Sequence, residues 1–350
     1  MNIYHPPEKK MKIVADLEST RVKGVSFHTT KPWLACAMYD GTIVLRELES
    51  PHSIRTFQAH DGPVRSVCFH PTLDIIASGG DDGKVKVWDV EMLKCTQTLS
   101  HDTGQPHGST RLGWLLPEKA FVRSVAFNSQ GTLLLSAGDE FTAKIWDWRT
   151  EKCLVVLDRH THCVMQACFH PTKPLIATAG LDFFARLWDY TDMATNESPS
   201  MIESLLFFFD RKGVKQVKIV ENWRDAEPQT WWNKFFKTYD SGALLGISFS
   251  KNNEVVVCGE QGRLGIWNLA EDSIRVLHHL HTADVVAAIF HPTDENILLS
   301  ADISGCINAF NLKDETTQNI QKTRFWCLAA NSTGTLFAAG HDQGIVLFSC

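Results

Sequence analysis

No apolar run in this 350-residue chain approaches the roughly 20 residues that a membrane-spanning helix requires. Its start, Met1-Asn2-Ile3-Tyr4-His5-Pro6-Pro7, has no apolar core ahead of Lys9-Lys10, so no secretory signal peptide is expected. Ten cysteines are present, yet no two form a Cys-x-x-Cys pair. Cys68, Cys168, Cys258 and Cys327 fall in expected strands, where a free thiol behaves as a small buried hydrophobe. The compartment implied is reducing, which means cytosol. Positive charge is also short: 34 Lys and Arg against 40 Asp and Glu leave a net charge of -6. A nucleic-acid binder usually needs the opposite balance. Catalytic signatures are missing too, with no Ser in a Gly-x-Ser-x-Gly elbow and no Gly-rich loop leading into a helix. His278-His279-His281 has no Cys or carboxylate at ligand spacing. Neither an enzyme, a cofactor nor a metal is expected.

What the chain does have is a repeat. Trp88-Asp89, Trp146-Asp147 and Trp188-Asp189 end three copies, and Trp267-Asn268 ends a fourth. Each Trp follows a Phe by 18 or 19 residues: Phe69, Phe127, Phe169 and Phe249. Weaker copies run from Phe27 to Arg46, Phe290 to Phe310, and Ala330 to Phe348. Between the two marks lie an apolar strand, a turn, a small-residue strand, an acidic-Gly turn and an alternating strand. A period of about 40 residues ending in Trp-Asp reads as one four-stranded blade per repeat. The expected fold is all-β, a single seven-bladed WD-repeat propeller over 1–350.

The blades are expected at 22–50, 64–100, 121–158, 163–220, 243–281 and 284–322, with the seventh at 324–350 plus 11–17. The last repeat holds three strands, so Met11 to Leu17 should supply the fourth and close the ring. Insertions are expected at 101–119 and 191–241. Within the second, Val214 to Val220 alternates like the outer strand of blade four, and Phe207-Phe208-Phe209 and Trp231-Trp232 read as cover for that blade's rim or, alternatively, as a partner surface. His60, Ser78, Asp82 and Trp88 are expected to form a hydrogen-bond relay inside one blade, repeated by His160, Thr178, Asp182 and Trp188.

The repeat frame also locates charge. Four residues before each Phe equivalent stand Lys23, Arg65, Arg123, Met165, Leu245, Val286 and Trp326. These should form a ring at one channel mouth, three cations followed by four apolar residues. Arg21 and Arg324 join the cationic sector across the closure. Seven residues before each Trp equivalent lie Tyr39, Asp81, Asp139, Leu181, Glu260 and His341, with blade six offset at Asp302. A cationic pocket flanked by acids suits a peptide carboxylate preceded by lysines. It equally suits an internal salt-bridge net stitching neighbouring blades.

Longer strings carry a family resemblance. Arg21-Val22-Lys23-Gly24-Val25-Ser26-Phe27-His28 with Lys31-Pro32-Trp33 resembles the start of the coatomer (COPI coat) alpha subunit's WD-repeat propeller. So do His60-Asp61-Gly62-Pro63-Val64-Arg65, Lys144-Ile145-Trp146-Asp147-Trp148 and Ala167-Cys168-Phe169-His170-Pro171-Thr172. Arg324-Phe325-Trp326-Cys327-Leu328-Ala329-Ala330 and Leu336 to Asp342 extend the likeness to the last blade. The resemblance implies a cargo-reading domain that binds cytosolic C-terminal dilysine tails of membrane proteins for return from Golgi to endoplasmic reticulum. It implies a cytoplasmic protein, peripheral on Golgi membranes and coated vesicles, with other coatomer subunits, beta-prime above all, as partners. The family's carboxylate clamp falls on Arg21, Lys23 and Arg65, with Tyr39 beside it. Its lysine contacts fall on Asp81 and Asp139, alongside Phe121 and His162. The chain departs from the family at Ala120-Phe121, where an acid is expected, and at His162-Cys163, where an aromatic follows the His. The alternative is a WD-repeat scaffold or substrate adaptor of the ubiquitin-ligase or histone-tail-reader kind.

Overall fold

A computed structural model describes residues 11–50, 52–101, 120–191, 200–206, 217–219, 243–271, 273–277 and 279–349. They form seven antiparallel sheets, six of four strands and one of five, arranged as the blades of a propeller. Among the described residues there is no α-helix, and hence no helix long and apolar enough to cross a membrane.

Blade one is Val22–Phe27, Trp33–Met38, Thr42–Glu47 and Ile54–Gln58, in that order outwards. Its outer strand lies beyond the expected limit of residue 50. The alternation Ile54-Arg55-Thr56-Phe57-Gln58 resumes after a turn and pairs with the third strand. Blade four also differs from expectation. Its fourth strand is Ser200–Leu206, and Val217–Ile219 adds a fifth outside it. Phe207 to Phe209 and Trp231-Trp232 lie outside the described residues. Lys12–Glu18 pairs with Gly344–Ser349, so the first strand completes the last blade and closes the ring.

Hydrophobic packing explains why the blades hold together. Seven buried clusters occur, one at each blade-to-blade junction. At the closure, Val22, Leu34 and Cys36 of blade one pack on Ala338, Ile345 and Leu347 of blade seven. A strand sandwiched between two neighbouring blades is apolar on both faces, which is why Leu34 to Met38 reads as a continuous buried run. Outer strands bury one face only and alternate, as Lys94–Ser100 does.

The inner strand carries a device that repeats seven times. In each blade the pairing with the second strand skips one residue, a β-bulge. The skipped residues are Lys23, Arg65, Arg123, Met165, Leu245, Val286 and Trp326. A bulge frees a side chain from the sheet's alternation and re-aims it. Here all seven line one central cavity of about 570 Å³. The ring expected from the spacing is thus a ring of bulges.

Candidate functional site

Each bulged residue has a neighbour at the end of the second strand of its own blade. The backbone N–H of Tyr39, Asp81, Asp139, Leu181, Glu260 and Ile303 bonds the carbonyl of the residue before the inner strand's first residue: Arg21, Pro63, Phe121, Cys163, Ala243 and Asp284. In blade seven the same register (Phe325 opposite His341) makes Asp342 the equivalent. The expected ring members His341 and Asp302 are therefore replaced by Asp342 and Ile303. Both expected residues belong to the strand itself, and each turn residue follows one position later.

Bulge and turn residues match in five of the seven blades; in blade five Leu245 stands with Glu260, whose carboxylate accepts the Ala243 N–H at 3.1 Å. Arg65 donates to Asp81 through Nε and Nη2 at 2.5 and 2.6 Å. Arg123 does the same to Asp139, with Nη2 at 3.0 Å from Oδ2. Met165 stands with Leu181, and Val286 with Ile303. The Trp326 indole donates to Asp342 at 2.7 Å. In place of a salt-bridge net stitching neighbouring blades, Arg65 and Arg123 pair within their own blades. Among the described cations of the mouth, Arg21, 2.8 Å from Asp342, is the one whose ion pair crosses the closure to a neighbouring blade. Asp139 is 3% exposed and holds Arg123, and Asp81 is likewise engaged, so neither acid is offered openly to a ligand.

Blade one also breaks the match. Its turn residue is Tyr39, and among the described residues Lys23 has no ion pair with a carboxylate of its own blade. The Lys23 Nζ lies 2.9 Å from the centroid of the Trp326 ring and 5.9 Å from that of Tyr39. Arg21 stands over Tyr39 at 4.8 Å, and Arg324 over Trp326 at 5.6 Å. Burial, then the charges of Arg65 and Arg21, push Lys23 down to about 7. Aromatic faces attract cations, but they do not neutralise them. Lys23 and Arg324 have no ion pair among the described residues, and Tyr39 is 44% exposed beside them.

The other expected residues sit further round the mouth. Phe121 lies between two guanidinium groups, 5.4 Å from that of Arg65 and 5.9 Å from that of Arg123. His162 accepts the Cys163 N–H at 2.8 Å and packs on Phe141, ring centroids 5.5 Å apart. The structure thus gathers Arg21, Lys23, Tyr39 and Arg324 round Trp326, and Arg65, Asp81, Asp139 and Phe121 in a second group. His162 joins neither through a direct contact.

Phe141 and Trp326 were missed as site residues. Phe141 has φ of 65°, and Phe183 of the next blade 71°, where Gly41, Gly83 and Gly305 occupy the equivalent turns. A bulky side chain in the left-handed region is strained. An aromatic where the acidic-Gly turn calls for Gly was the available signal. Phe141 supplies a ring beside His162. Burial and the Asp139 charge push the Cys163 thiol up to about 12.

The histidine relays are architecture. His60 bridges Asp82 at 2.8 Å and Ser78 at 2.7 Å, and Trp88 donates to the same hydroxyl at 2.9 Å. His160, Asp182, Thr178 and Trp188 repeat the arrangement. The order Asp–His–Ser resembles a hydrolytic triad, but Ser78 and Thr178 are fully buried and already bonded to an indole. His101, expected at the start of a loop, is also fully buried and bridges to Ser136, which accepts from Trp146. His281 gains the acid and thiol that its spacing hid: Asp302 and Cys306 lie within 4.8 Å. Its two nitrogens already bond Asp302 and Ser300 at 2.7 Å, which makes it a fourth relay.

The WD domain, G-beta repeat, model matches residues 11–46, 51–89, 114–147 and 151–189. The chain is 30% identical over 122 residues to "Coatomer subunit beta'-2" of Arabidopsis thaliana, covering 34% of this chain and 11% of that protein. It is 24% identical over 128 residues to "Target of rapamycin complex subunit wat1" of Schizosaccharomyces pombe, covering 37% and 36%. To "Nuclear distribution protein PAC1" of Arthroderma otae it is 31% identical over 141 residues, covering 30% and 31%. The matches therefore span between 11% and 36% of the length of these three relatives. The coatomer relative is a beta-prime subunit, so this likeness supports a WD-repeat family and not the alpha subunit in particular. With four matched WD repeats and seven blades of one plan, the chain folds as a seven-bladed β-propeller that carries WD repeats.

Proposed function

We propose that the chain is a non-catalytic recognition module that binds the C-terminal carboxylate of a peptide at the channel mouth, and that its ligands are dilysine tails of membrane cargo. The observation that carries this reading is Lys23. It is a largely buried cation with no acidic partner in its blade, crowded by Arg21, Arg65 and Arg324 on an exposed mouth. Like charges held together in this way favour an anion as guest. A carboxylate would bond Lys23 and Arg324 directly and lie beside the Tyr39 ring. The coatomer likeness supports the dilysine class, a COPI-type coat as the wider assembly, and a cytoplasmic, membrane-peripheral location. The beta-prime relative adds weight to coat subunits as partners.

A second reading is a scaffold within another complex, favoured by matches of similar extent to a target of rapamycin complex subunit and a nuclear distribution protein. One experiment separates them. Calorimetry with a Lys-Lys-x-x peptide, as free acid and as C-terminal amide, should give binding that weakens at least 10-fold on amidation. Loss of an anion leaves charged donors unpaired. Equal binding of the two forms would overturn the carboxylate reading.

A further inference from the structure

The cavity that receives Lys23, Arg65 and Arg123 on one side is lined on the other by Met165, Leu245, Val286 and Ile303. We propose that this apolar wall reads the side chain of the ligand's last residue and selects an apolar one. The inference rests on the carboxylate reading, which anchors the ligand's end at Lys23 and so sets where its terminal side chain can reach.

Three observations support it. First, Met165, Leu245 and Val286 are bulged residues, like the cations opposite. Their side chains are therefore turned out of the sheet into the cavity, and none is wholly buried by its own blade. Second, the turn residue behind Met165 is Leu181 and that behind Val286 is Ile303, while Glu260 behind Leu245 turns its carboxylate to the Ala243 N–H at 3.1 Å and is not among the residues lining the cavity. Third, Asp284 lines the same wall, and its carboxylate accepts the Gln261 N–H at 2.9 Å without an ion pair among the described residues. That charge repels an acidic terminal side chain and directs the ligand's carboxylate to the opposite side. A residue whose carboxylate faces Lys23 thus has one open direction across the channel, onto an apolar surface.

The test uses the whole 350-residue chain and four peptides identical except at the end: Leu, Ser and Asp as free acids, and Leu as the amide. Burying a Leu side chain in place of Ser should tighten binding about 10-fold or more. The Asp peptide should bind more weakly than the Ser peptide. Leu245→Asn should shrink the preference for Leu over Ser to less than about 3-fold while the Ser peptide's affinity stays within about 2-fold. Unchanged thermal melting checks that the variant is folded, and Val286→Ser should give the same change if Leu245→Asn is not. Three free acids of equal affinity, all tighter than the amide, would overturn this inference and leave the carboxylate reading standing. Equal binding of the Leu acid and its amide, or no binding by any peptide, would overturn both.

Discussion

Two cationic sectors of one ring meet opposite fates. Arg123 and Lys23 are both bulged, both face the channel and both are followed 16 residues later by a turn residue. In blade three that residue is Asp139, and the pair closes on itself. In blade one it is Tyr39, and the charge stays open. The repeat frame therefore does not decide whether a cation serves the fold or a ligand; the residue in the neighbouring turn does. A buried pair stabilises its own geometry once formed, whereas an uncompensated lysine weakens the fold and gains an affinity for anions.

The contrast can be broken from the structural side. Asp139→Asn leaves Arg123 uncompensated in a mostly buried setting, and such a loss costs about 3 kcal/mol. Urea denaturation should reveal a correspondingly lower midpoint, largely recovered by adding Arg123→Met. If Asp139→Asn alone is neutral, the pair does not carry the role assigned to it.

On the ligand side, Lys23→Met should weaken the free-acid peptide about 10- to 100-fold, the worth of a charge-assisted hydrogen bond. The same variant should fold at least as well as the parent. In the parent, burial and the neighbouring arginines depress the folded-state pKa of Lys23 from 10.5 to about 7, so between these values the unfolded chain binds more protons. Stability should therefore rise as pH goes from about 7 to 10, and the folded state carries the full penalty below 7. Denaturation midpoints of parent and variant across this range should converge as pH rises. Peptide affinity of the parent should fall over the same range, because the bound form needs Lys23 protonated.

A smaller effect should follow from opening a closed pair. Asp81→Asn frees Arg65 beside Lys23, and free-acid peptides should bind several-fold tighter, most clearly at low salt where exposed charges are least screened. Affinity unchanged at every ionic strength would place Arg65 outside the anion's reach. Smallest of all, Tyr39→Ala removes an exposed ring beneath Arg21. At about 0.5–1 kcal/mol for such a contact, calorimetry should register a loss of roughly 2- to 5-fold.

Much of this arrangement was readable in the order of residues. Counting four back from Phe27, Phe69 and Phe127 finds Lys23, Arg65 and Arg123, because every blade bulges at the same step. Asp81 and Asp139 were found too, but not their partners. Pairing depends on the bulge turning an arginine towards a turn 16 residues away, and nothing local encodes that aim. The count slipped at His341 because it ran back from the third strand and the last blade's turn is one residue shorter; in blade six the seven-residue count itself reaches Ile303, and the shift by one to the acid Asp302 was the error. Ile54–Gln58 fell outside the expected bounds of blade one, and its pairing with the third strand places it there. His101 was assigned to a loop because the insertion after it separates it from the blade whose hydroxyl it binds.

The pairing of Lys12–Glu18 with Gly344–Ser349 has a consequence for synthesis. Of the strands in this ring, the one synthesised first must wait for the one synthesised last. At about 5–20 residues per second, that delay is on the order of tens of seconds. Through that interval the outer strand of the seventh blade exists without its sheet, and the flank of blade one that packs Val22 and Leu34 remains wet. Chaperone demand and self-association should thus concentrate in the nascent chain and vanish once the ring shuts.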